Sequence, residues 1–230
     1  MKTQLEFYME EIEKRIRRIH ELVNHGLSMA MDAFASLDGK EVVMVKQNSH
    51  EIEDLSEKVE DNVFETIARR QPVARDLRKL AAYLQISHHL YRIGRYACKI
   101  AHIVDLCLAE NLIHYKELQS LPHLKQLAQE TINIAMEAVL DGNLERIPDL
   151  ENLESESDRE TEEMFQEISE FLRKQDGIEK MSMFYVIVGR YFERAADHGL
   201  QIAERGIYIH TGKKKQLGIA FKDKGMLGPH

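Results

Sequence analysis

A chain of 230 residues, 43% apolar and 30% charged, with four prolines and no tryptophan, suits one large helical domain or two small ones and not a turn-rich β fold. Its net charge is −8, and the lysine-rich tail from Lys213 leaves the rest of the chain more acidic still, which argues against nucleic acid as the main partner. Cys98 and Cys107 are nine apart, on opposite sides of a helix, so no disulfide framework is expected; no apolar run is long enough to span a bilayer, and the chain reads as cytoplasmic, meeting a membrane only indirectly through partners.

The first helix is marked by Leu5, Tyr8, Ile12, Ile16, Ile19, Val23, Leu27, Ala30 and Phe34, which step by three or four and draw one apolar seam on a long rod. Asp38-Gly39 is expected to end it. A second helix carries Val45, Ile52, Leu55, Val59, Val63 and Ile67, and closes on Arg69 and Arg70, whose charges suit a helix C-terminus. Pro72 is expected in the first turn of a third helix, which runs through Leu77, Leu80, Leu84, Leu90, Ile93, Ala97, Ile100 and Val104 to about Glu110.

The second half repeats this plan. A fourth helix begins at about His114 or Pro122 and reaches Leu140, and Asp141-Gly142 mirrors Asp38-Gly39. An acidic fifth helix spans about Pro148 to Lys174. A sixth follows Asp176-Gly177, carries Met181, Val188, Phe192, Ala195, Gly199 and Ile202, and is capped at Thr211-Gly212. Short connections favour antiparallel neighbours. The expected architecture is all-α: two tandem, pseudo-symmetric three-helix bundles, elongated, over 1–111 and 112–212, with a basic flexible tail at 213–230. Long seams with several apolar faces leave room for a homodimer.

The repeat is visible in the residues. Tyr91 to Ala101 recurs, 102 residues later and without a gap, as Glu193 to Ala203. The later copy places Glu193 and Asp197 at i, i+4, on one helix face, as a pair able to share a cation. The earlier copy has Tyr91 and Arg95 there, which cannot bind a metal in that way. The fifth helix adds Glu154/Asp158 and Glu156/Glu160, again at i, i+4. If the fifth and sixth helices pack face to face, these carboxylates converge, at a Coulomb cost that protons or cations relieve. The same acids also read as an ordinary solvated helix face. An all-oxygen set suits iron, or an oxygen-preferring divalent ion such as manganese or magnesium, with zinc as a further possibility.

In the first half, Arg95 faces the acids of the second helix. An ion pair of Arg95 with Glu51 and Asp54 is expected to stand where a metal would otherwise be. His88, Cys98 and His102 lie near the same face and allow a softer site, or simply partly buried structural side chains. No Glu-x-x-His, Gly-rich phosphate loop, nucleophile elbow or Cys-x-x-Cys is present, so no enzyme activity is expected.

The string Arg70-Gln71-Pro72-Val73-Ala74-Arg75-Asp76-Leu77-Arg78, followed by Leu84-Gln85-Ile86 and the Tyr91–Ala101 block, closely resembles the PhoU family of phosphate-uptake regulators. Glu193 to His198, Ile202 to Glu204 and Tyr208 to Gly212 are similar to the end of that family's second repeat. The resemblance covers about residues 5–212. It implies two three-helix bundles with metal clusters on Glu/Asp-x-x-x-Asp motifs, one per repeat. Glu193 and Asp197 inherit the second motif; Tyr91 and Arg95 do not fit the first. It further implies a non-enzymatic negative regulator whose partners are a phosphate ABC transporter component, a sensor histidine kinase, or both. An accessory role on another membrane transporter or an ion channel is the alternative. Arg70, Arg75 and Arg78 read either as a partner or phosphate contact, or as helix-end electrostatics with a salt bridge to Asp76.

Overall fold

The computed structural model describes residues 3–117 and 119–218. Among them it contains six helices and no strand: α1 (Gln4–Ser36), α2 (Gly39–Arg70), α3 (Ala74–Ala109), α4 (Ser120–Leu140), α5 (Asp149–Leu172) and α6 (Glu179–Thr211). No helix in this part of the chain is long and apolar enough to cross a membrane.

The start of α1 is fixed by a capping box. Thr3 Oγ1 accepts the Glu6 N–H at 3.2 Å, and Glu6 Oε2 accepts the Thr3 N–H at 2.7 Å. Along α1 the seam residues Ile12, Ile16, Ile19, Val23, Leu27 and Ala30 are fully buried, and each large aliphatic among them contributes about 1.5–3 kcal/mol of burial. The seam on α6 is likewise buried from Met181 through Ile202. On α3 one expected seam residue is displaced: Leu77, in the first turn, is 41% exposed.

Two helix ends differ from expectation. The left-handed residue that stops α1 is Leu37 (φ 52), not Gly39. Asp38 instead caps the next helix, with Oδ1 accepting the Lys40 N–H at 2.8 Å, and Gly39 is already the first residue of α2. At the next turn Gln71 is left-handed (φ 47) and Val73 is the extended N-cap of α3, so Pro72 precedes the helix by two residues. Its missing N–H is not required there.

Helices α1, α2 and α3 pack on one another, as do α4, α5 and α6; α3 on α6 and α1 on α4 join the two sets. Close approach of α6 to α4 depends on glycine. A Cβ at Gly206 would meet the Ala138 carbonyl carbon at 3.0 Å and the Val139 nitrogen at 3.1 Å. Helix α5 is the thinnest contributor, burying only Leu150, Ser157, Thr161, Met164 and Ile168. Beyond Gly212, which is left-handed at φ 73, the chain turns back. The Leu217 N–H donates to Glu204 Oε1 at 2.9 Å, and the Leu217 side chain packs on the core. The remainder of the expected basic tail, 219–230, lies outside the described residues.

Candidate functional site

The face that α5 presents to α6 carries Asp158, and α6 answers with Glu193 and Asp197. Asp158 and Glu193 are half-buried, and Asp197 is exposed. The carboxyls of Asp158 and Asp197 are both held above the usual carboxylate range, first by partial desolvation beside the packed helices and then by the negative charge of Glu193; Asp158 also raises Asp197. Arg190, one turn before Glu193, partly offsets this charge, and its Nη1 donates to Glu193 Oε2 at 2.6 Å.

The donor set suits a hard cation. It is all oxygen, and its negative charge is under-compensated. Among the described residues, however, no three His, Cys, Asp or Glu side chains are already arranged around one point. Glu193 is turned to Arg190. Gathering Asp158, Glu193 and Asp197 on one ion therefore requires Glu193 to exchange its guanidinium partner for the metal.

The remaining acids of α5 divide between faces. Glu154, one turn before Asp158, lies against the returning chain, where a Cβ at Gly218 would come 2.9 Å from its Oε1. Glu156 and Glu160 do not join the α6 face. His123 of α4 takes both, with Nε2 3.4 Å from Glu156 and Nδ1 2.8 Å from Glu160. The reason is helical geometry: two residues along an α-helix is a turn of about 200°. Two i, i+4 pairs offset by two residues necessarily face different neighbours.

In the first repeat the expected ion pair has other partners. Glu51 is held by Arg18 of α1 at 3.1 Å, and Asp54 is exposed. Arg95 Nη1 instead reaches Tyr91 Oη at 3.4 Å, and that hydroxyl donates to Glu53 Oε1 at 3.1 Å. A phenol thus bridges the cation to the acid. The three arginines of the 70–78 string also separate. Arg70 lies over the Tyr8 ring, 5.0 Å from its centroid. Arg78 crosses to the second repeat, with Nη2 3.5 Å from the Ile209 carbonyl at the C-terminal end of α6 and its guanidinium over Tyr208, where a cation is favoured. Arg75 is exposed, and Asp76 makes no ion pair among the described residues. His88 and His102 are exposed and Cys98 is half-buried, with no arrangement of metal-ligand type around them among the described residues. Both cysteines are free.

Sequence reasoning missed a polar cluster where α3 meets α6. His89 Nδ1 lies 3.0 Å from His198 Nδ1, and Tyr96 Oη lies 3.1 Å from His198 Nε2. Beside them Tyr96 stacks on Tyr191 at 5.7 Å, with Lys99 over both rings. Burial, then neighbouring cationic groups, lower His89 and His198 each to about 4. The offset of the repeat held the signal: adding 102 to Tyr96 gives His198, and adding it to His89 gives Tyr191.

The PhoU domain matches this chain twice, over residues 16–104 and 121–206. The phosphate-specific transport system accessory protein PhoU homolog 1 of Methanothermobacter thermautotrophicus is 29% identical over 210 residues, covering 90% of each chain. The protein of the same name from Thermotoga maritima is 25% identical over 207 residues, covering 90% of this chain and 89% of its own. The crystal structure of PhoU from Pseudomonas aeruginosa superposes with a TM-score of 0.84 at 21% identity, covering 91% of this chain and 100% of that one. The phosphate transport system regulatory protein PhoU from Streptococcus pneumoniae gives a TM-score of 0.82 at 23% identity, covering 93% and 100%.

Proposed function

The chain belongs to the PhoU family, and from that premise we propose that it is an accessory regulator of phosphate transport. It acts in the cytoplasm as a negative regulator, by contact with a phosphate transporter component or its sensor kinase, and as a homodimer. The observation that carries this reading is the match of the family domain to both halves, together with relatives named as phosphate transport accessory proteins over nine-tenths of the chain. An all-helical scaffold with an open acidic face fits a role exercised through binding.

The second repeat holds the candidate cation site. Asp158, Glu193 and Asp197 would hold a hard metal ion, iron, manganese or magnesium, with Glu154 on the adjacent turn. When bound, such an ion supplies the positive charge that ties α5 to α6. In the first repeat the Arg95–Tyr91–Glu53 chain takes that position. What supports this is the raised proton affinity of two of the three acids.

Deleting the gene tests the regulatory role. Phosphate uptake and phosphate-responsive expression rise in phosphate-replete medium, and the wild-type gene restores them. Unchanged uptake and expression, with pull-downs that recover a different transporter or an ion channel, would replace this reading with the accessory role elsewhere.

A further inference from the structure

Beside the α3–α6 contact lies a cavity of about 450 Å³ lined by Glu60, Leu84, Gln85, His88, His89 and Arg205. Its walls come from α2, α3 and α6, and so from both repeats. Arg205 Nε is buried and has no hydrogen-bond partner among the described residues, and no carboxylate of those residues pairs with this guanidinium. A buried, unpaired guanidinium edge is costly, and the cost disappears when an anion supplies the acceptors. The one acid in the lining, Glu60, is exposed.

We propose that this cavity binds a phosphate-type oxyanion, free or as the phosphoryl group of a small metabolite, through Arg205 with Gln85, His88 and His89 as further donors. The planar fork of Arg205 matches two oxygens of such a group. The histidine contacts supply a consistent set of protons. Tyr96 Oη–H donates to His198 Nε2, His198 Nδ1–H donates to His89 Nδ1, and His89 Nε2–H is left as a donor; the tautomers are assigned from this network. Burial and the nearby His198, His88 and Arg205 hold His89 neutral at pH 7, so of these two groups it is Arg205 that brings positive charge and His89 that brings a neutral donor. An oxyanion here ties α6 of the second repeat to α2 and α3 of the first. The site shares no residue with the carboxylate face, and its test does not depend on that face binding metal.

The test is isothermal titration of metal-free, chelator-treated full-length protein with inorganic phosphate and, separately, with adenosine monophosphate. Saturable binding of at least one probe is expected. Arg205→Gln weakens it at least about tenfold, the scale of a lost charged hydrogen-bond pair, and His88→Ala, at an exposed position, weakens it by a smaller factor. Circular dichroism checks that both variants keep their helix content. Stronger binding of phosphate identifies the free anion as the ligand; stronger binding of the nucleotide identifies a phosphorylated metabolite. No saturable heat with either probe at millimolar concentration overturns the proposal, as does equal affinity in both variants.

Discussion

Tyr96 and His198 touch each other, Oη to Nε2 at 3.1 Å, and they occupy the same position in the two repeats. Contact between equivalent residues means that a local pseudo-twofold axis passes through this pair. The axis relates two further contacts, His89 with His198 and Tyr191 with Tyr96, which sit 5.2 and 5.7 Å apart by ring centroid. One side has become an imidazole pair beside Arg205 and the other a phenol stack under Lys99. The two halves keep one backbone plan and differ in the chemistry placed on it.

The imidazole side makes stability depend on pH. An unfolded histidine protonates near 6.5, whereas folded His89 does so at about 4, and burial also lowers His20. Between these values the folded chain binds fewer protons, so stability is full above about 6.5 and is lost as pH falls toward 4. The urea midpoint is expected to drop between pH 7.5 and pH 5, and to drop less in His89→Gln. Equal drops in the two proteins would remove His89 from this account.

The acidic face acts in the opposite direction. Asp158 and Asp197 have raised pKa values, so charging them as pH rises costs the folded state stability. In metal-free protein at pH 7, Asp197→Asn is expected to raise the melting temperature by a few degrees, as Asp158→Asn is. A fall in melting temperature for both variants would show that these carboxylates are well compensated in the folded chain.

Gly206 sets the spacing between α6 and α4, because its missing Cβ would press on backbone atoms of Ala138 and Val139. Those atoms cannot rotate away. Gly206→Val is expected to destabilise by about 1–3 kcal/mol, the usual cost of forcing extra volume into a packed interior. Chemical denaturation measures it, and an unchanged midpoint would show that the two helices separate freely.

Much of this arrangement was legible in the sequence, for reasons that mark the rest as hidden. Seams such as Ile12 to Ala30 report a helix directly, since burial on one face dictates the spacing. The 102-residue offset reported the repeat, and Glu193/Asp197 stood out against it. Spacing along one helix does not say which neighbour a face meets. Spacing therefore groups Glu156 and Glu160 with Asp158, although His123 holds them on the opposite side. Charge likewise matches Arg95 to the acids of α2, although the Tyr91 phenol stands between it and Glu53. At Asp38 the residue type reads as a stop for one helix, whereas its carboxylate starts the next.

The broken symmetry can be repaired. Tyr91→Glu with Arg95→Asp restores a carboxylate pair on α3 beside Glu53. Metal stoichiometry measured by elemental analysis is expected to rise in this double variant. An unchanged stoichiometry would show that the acids of α2 are not placed to complete a site.

The central claim is that the second repeat alone carries a carboxylate metal site. Elemental analysis of purified protein, after loading with iron or manganese and dialysis, tests it most directly in wild type and in Glu193→Ala/Asp197→Ala. Metal retained by the wild type and lost from the double variant, with helix content unchanged, is the expected result. Metal retained equally by both proteins would contradict it.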